Sequence, residues 1–136
     1  MSFYCPDLFS DNGSRRRVAS LRSARWPVAG SVTSVCTSGG YAYVTAGDGH
    51  VRAIGIANGA VKWSYRAGGP VNSGIAVANG VTYFGCDDWR VYAVYASTGH
   101  LKWTYRTRGA VECGLAVYQD RVLAGSNDGT LYALQT

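Results

Sequence analysis

Charge is scarce in this chain: 15% of its 136 residues are charged, while 47% are apolar. That balance excludes a disordered polyelectrolyte. Only three prolines occur, and glycine follows no three-residue period, so a collagen-like rod is excluded as well. No apolar run approaches the ~18 residues a membrane helix needs. The opening Met1-Ser2-Phe3-Tyr4-Cys5-Pro6-Asp7 has no basic stretch leading into an apolar one, so no signal peptide is expected and the chain reads as cytoplasmic. Its four cysteines (Cys5, Cys36, Cys86 and Cys113) are far apart in sequence. Without a C-x-x-C pair, they are expected to be reduced and structural. The phosphate-binding loop, the dinucleotide fingerprint, H-E-x-x-H and the nucleophile elbow are all missing. No catalytic residue, cofactor or metal ligand set is therefore expected.

What is abundant is glycine, with 18 residues, and the pair Tyr and Trp, with ten and four. This composition suits short strands joined by tight turns, and the length suits one small domain. The net charge of +5 is uneven: residues 1–25 carry +3 and residues 26–136 carry +2. The basicity gathers around Arg15-Arg16-Arg17 in an arm spanning residues 1–23. The folded part is too weakly basic to favour nucleic acid as a partner.

The governing feature is a repeat of 40 residues. It relates Val71 to Val111, Gly74 to Gly114, Gly85 to Gly125, Asp88 to Asp128, and Tyr92-Ala93 to Tyr132-Ala133. Lys62-Trp63 precedes Lys102-Trp103 by the same interval, and Arg25-Trp26 reads as the end of an earlier copy. The copies span about 31–66, 69–106 and 109–136. The second holds strand-like runs near 71–78, 81–86, 90–96 and 100–106. Asn79-Gly80, Thr98-Gly99, Asp48-Gly49, Asn58-Gly59 and Asp128-Gly129 are hairpin signals, because these residues tolerate positive φ. Four antiparallel strands per ~40 residues predict one blade of a β-propeller per copy.

The run G-x-V-x-S/C-G-x-A-V, then V-x-Y/L-x-G, then D-G/W-x-V/L-Y-A-V/L, then A-x-T/N-G-x-x-K-W-x-Y-R resembles the PQQ-like repeat over about residues 31–136. That repeat occurs in PQQ-dependent dehydrogenases, in outer-membrane assembly lipoproteins and in sensor regions of some bacterial kinases. The resemblance implies an all-β propeller in which Trp26, Trp63 and Trp103 dock one blade on the next. Enzymes of the family use eight blades, calcium, an Asp base and a disulfide between adjacent cysteines. This chain has no adjacent cysteines and only three copies.

Three blades are fewer than the four to eight that close a ring. The third copy stops before its fourth strand, and residues 24–29 read as a spare outer strand. Two chains exchanging that strand would give a six-bladed ring, so a homodimer is expected. The other reading of the same pattern is a piece of a longer propeller.

Several residues are candidates for function. Trp89 stands where the other copies have Gly49 and Gly129, which suggests a partner-binding anchor. Arg66, Arg106 and Arg108 lie where one blade leads into the next and could recognise an acidic peptide or anion. Ser34, Asn72, Ser73, Glu112 and Cys113 open the inner strands and are expected to line a central channel. His50 and His100 occupy non-equivalent turn positions with no paired base or acid, and Asp48, Asp88 and Asp128 suit turn formation better than calcium. The leading expectation is a non-enzymatic scaffold that presents loops to a protein or peptide. The alternative is a channel site for a quinone- or sugar-like ligand. A purely structural ring subunit is a third reading.

Overall fold

The computed structural model describes residues 24–136, so the basic arm 1–23 and Cys5 lie outside the described residues. Among the described residues eleven strands follow one another: β1 (Val32–Ser38), β2 (Tyr41–Ala46), β3 (His50–Gly55), β4 (Val61–Arg66), β5 (Ile75–Ala78), β6 (Val81–Cys86), β7 (Arg90–Tyr95), β8 (Leu101–Arg106), β9 (Leu115–Tyr118), β10 (Arg121–Gly125) and β11 (Leu131–Gln135). They form antiparallel sheets in chain order, β1-β2-β3-β4, β5-β6-β7-β8 and β9-β10-β11. The described residues form an all-β propeller arc of three blades, the third with three strands. No helix among the described residues is long and apolar enough to cross a membrane.

Equivalent register repeats from blade to blade. Ala53 pairs with Trp63 and Ala93 with Trp103, and both pairings slip by one residue just beyond. The turns use positive φ where hairpins demand it, including the non-glycine residues Asn79 (φ 52°) and Gln119 (φ 54°).

The expected strand over 71–78 begins only at Ile75. Ser73 is the reason. Its hydroxyl accepts from Gly85 N (2.7 Å) and donates to Gly85 O (3.0 Å), replacing the ladder there. Cys113 Sγ reaches Gly125 O at 3.2 Å in the same place on the third blade.

The core lies between blades. Tyr43, Val51, Ala53 and Trp63 of the first blade meet Val71, Phe84, Tyr92 and Val94 of the second. Phe84 and Tyr92 stack with ring centres 5.1 Å apart. Val81, Tyr83 and Ala93 meet Val122, with Trp103 and Leu115 packed beside them. Trp63 donates Nε1 to Ala96 O at 2.7 Å, and its ring closes on the bare backbone of Gly99. The buried Trp103 Nε1 has no partner among the described residues.

Residues 24–29 do not form a strand in their own chain. No strand among the described residues lies beside them to complete a ladder. Trp26 and Val28 instead cover Ala42, Val44 and Ile54 on the outer flank of the first blade, and the Trp26 ring rests on Gly59.

Candidate functional site

The loop between blades and the turn between each blade's second and third strands lie at the same end of the arc. In the second and third blades the turn aspartate holds the two together. Arg90 N donates to Asp88 Oδ1 at 3.1 Å, Tyr92 Oη donates to Asp88 Oδ2, and Gly68 N donates to Tyr92 Oη at 3.2 Å. One blade on, Thr130 N donates to Asp128 Oδ1 (2.8 Å), while Tyr132 Oη (2.6 Å) and Arg108 N (3.1 Å) donate to Oδ2. In the first blade Arg52 takes the tyrosine's place, with Nη2 3.0 Å from Asp48 Oδ2. The Arg52 hydrogen bond holds the Asp48 carboxyl below the usual carboxylate range, and the Tyr132 hydroxyl does the same for Asp128. Burial, then Asp88, pushes the Tyr92 hydroxyl well up. The recurring aspartates are therefore turn acceptors, and no group of three or more His, Cys, Asp or Glu among the described residues is placed to hold a metal ion.

Trp89 sits on this clamped frame with φ 72°, the conformation that Gly49 (φ 90°) and Gly129 (φ 86°) adopt in the other blades. A bulky residue there is strained by roughly 1–2 kcal/mol. The surroundings enforce it: Thr107 N donates to Trp89 O at 2.7 Å, and Trp89 N donates to Cys86 O at 3.3 Å. The buried Thr107 hydroxyl lies 2.9 Å from Trp89 O and 2.7 Å from Gly109 O. Trp89 is 44% exposed, and the Arg106 guanidinium stands over its ring.

The structure thus brings together two of the four residues expected at a partner surface. Arg66 lies apart, beside a cavity of about 300 Å³ between the Gly47–Gly49 turn and the Arg66–Pro70 loop. Arg108 is held through its backbone to Asp128. Arg90, which the sequence reading passed over, pairs across the ladder with Arg106. Its position beside Trp89 was the available signal. Among the described residues no ion pair involves Arg66, Arg90, Arg106 or Arg108.

The residues expected in a channel separate. Ser73 is 1% exposed and its hydroxyl is committed to Gly85, so it lines no channel; a short polar side chain at that point substitutes for the backbone ladder. Ser34 is half-buried, and Asn72, Glu112 and Cys113 are exposed. Asn72 Nδ2 donates to Asp87 Oδ2 (2.9 Å), and one repeat later Asn127 Nδ2 donates to Glu112 Oε1 (3.0 Å), with amide and carboxylate exchanged. Burial, and then Glu112 close by, raises the Asp87 carboxyl. His50 Nδ1 lies 3.3 Å from Asp48 Oδ2 without hydrogen-bond geometry, and His100 bonds through its backbone alone, its N donating to Thr98 Oγ1 and its O accepting from Tyr95 N.

Residues 11–136 match the family model described as outer membrane protein assembly factor BamB, a PQQ-type repeat model. Among solved structures, BamB from Moraxella catarrhalis is 24% identical with a TM-score of 0.65, covering 74% of this chain and 32% of that one. The quinohemoprotein alcohol dehydrogenase ADHIIG from Pseudomonas putida HK5 is 22% identical with a TM-score of 0.73, covering 81% and 20%. The RRP9 WD40 repeats are 15% identical with a TM-score of 0.72, covering 79% and 36%. The chain therefore spans about a third or less of the length of these structures. Among curated proteins none matches.

Proposed function

The chain belongs to the PQQ-like repeat family, and we propose that it is a non-enzymatic interaction module that presents its clamped loop face to an acidic segment of a protein partner. One observation carries the reading. An exposed tryptophan is held in a backbone conformation that its repeat equivalents leave to glycine, with an arginine over its ring. Strain of that kind persists where the surroundings enforce it, and it clusters at functional positions. A rigid indole beside a guanidinium suits the centre of a recognition patch. Asp88 and Asp128 are engaged by internal hydrogen bonds, and no ion pair among the described residues ties up the guanidiniums of Arg90 and Arg106, which leaves them for the partner. The fitting ligand is an extended peptide with one apolar or aromatic residue for Trp89, flanked by Asp or Glu. The module is also proposed to act as a homodimer, with a second copy as its first partner.

Panning a random peptide library on the purified protein tests the recognition face. Acidic sequences containing an aromatic residue should be enriched, and Trp89→Gly should weaken them at least tenfold. Binders that survive Trp89→Gly, or no enriched sequence, would overturn the assignment.

A further inference from the structure

We propose that two copies close head to tail, residues 24–29 of each adding the outer strand to the third blade of the other. The inference deepens the homodimer reading and rests on it.

Repeat-equivalent positions reveal two unmatched flanks. Val51 and Val91 face the next blade and are 0% exposed, whereas Leu131, their equivalent, is 70% exposed. At the other end Val35 is 51% exposed, whereas its equivalent Ile75 is 9% exposed. Inside the chain these same two kinds of surface meet twice, at the first-to-second and second-to-third blade interfaces. The flank of the third blade is thus shaped for the flank of a first blade. A second copy continues an interface the fold already makes.

The strand edges tell the same story. β4 and β8 lie outside β3 and β7, but β11 has no outer neighbour among the described residues. Conversely, residues 24–29 lack a ladder yet occupy the place of an outer strand from a preceding blade. Trp26 rests on Gly59 as Trp63 rests on Gly99. Aligning Trp26 with Trp63 and Trp103 fixes the register. Ala93 pairs with Trp103, Tyr92 with Thr104 and Arg90 with Arg106. Across the dimer Ala133 would therefore face Trp26, Tyr132 would face Pro27, and Thr130 would face Ala29.

Pro27 fits this register. Thr107 N donates to Trp89 O, so by alternation Tyr92 and Thr104 form a non-hydrogen-bonded pair and the Thr104 N–H points away from the sheet. A proline at that position loses no ladder bond, which is where edge strands tolerate it. Two arcs of three blades give six, within the range of closed propellers, and remove both open edges.

The test uses the full chain, with mass by light scattering and with Ala29→Cys and Thr130→Cys introduced together. Both sites are exposed within one chain. The expected result is twice the chain mass, with a cross-linked dimer after oxidation that neither single variant nor the unmodified chain gives. A dimer in which the cysteine pair stays unlinked would overturn the strand exchange and leave self-association standing. A monomer would overturn both, and a ladder of larger species would overturn closure of the ring.

Discussion

Arg106 holds its guanidinium 5.6 Å from the centre of the Trp89 ring. The two residues come from different hairpins. Thr107, the neighbour of Arg106, fixes the backbone of Trp89. The first blade makes the same contact, Ala67 N donating to Gly49 O, so the pair is positioned by a loop-to-turn clamp that the first two blades share.

Trp89→Gly should leave stability nearly unchanged. Relief of positive-φ strain, roughly 1–2 kcal/mol, opposes the greater backbone freedom of glycine when unfolded and the loss of an exposed cation–π contact of about 0.5–1 kcal/mol. Urea denaturation should place the variant within about 1 kcal/mol of the parent. A larger loss would mean that Trp89 is a packing residue.

Two glycine substitutions separate blade docking from turn geometry. A Cβ on Gly99 would sit 2.6 Å from Trp63 Cδ2, whereas one on Gly80 meets nothing within 4 Å, and both have positive φ. Gly80→Ala should cost about 1 kcal/mol. Gly99→Ala should cost about 1–3 kcal/mol more, because the indole must move. Equal losses in thermal unfolding would remove Trp63 as the docking residue.

Asp88→Ala should cost about 1–3 kcal/mol, since it strips the partly buried Tyr92 hydroxyl and Arg90 N of their acceptor. The drop should be read by denaturant titration at neutral pH, and Asp88→Asn should recover part of it through the turn bond.

Stability should change with pH in two opposing ways. The Asp48 and Asp128 carboxyls are held below their ordinary values by Arg52 and Tyr132. Their contribution is present above the unfolded carboxylate pKa near ~4 and is lost as pH falls through the folded values. Asp87 runs the other way. Its raised carboxyl binds a proton earlier in the folded state, so lowering the pH through that value relieves its crowding with Glu112. Glu112→Gln should shift the Asp87 titration downward, as read from its carboxyl carbon by NMR. An unmoved titration would mean that burial alone raises it.

Much of the fold was legible because most strands alternate or run apolar and most turns carry a glycine, with the pattern repeated after 40 residues. Trp89 was legible as a break in that repeat. The late start of β5 was not, since it depends on Ser73 bonding both backbone groups of Gly85 across the ladder. Arg90 was missed because its meeting with Arg106 follows from register rather than spacing. The exchanged amide–carboxylate pairs Asn72–Asp87 and Asn127–Glu112 were missed because each joins residues 15 apart in sequence. Residues 24–29 were read as a strand from their likeness to other copies, but a strand also needs a neighbour.

The most direct test of the recognition face is an NMR titration that follows the indole N–H signals while a peptide recovered by panning is added. The Trp89 signal should shift progressively, with added salt weakening binding, while the Trp63 signal, locked onto Ala96 inside the blade interface, stays in place. A Trp89 signal that stays in place while the peptide binds would contradict the assignment of this face.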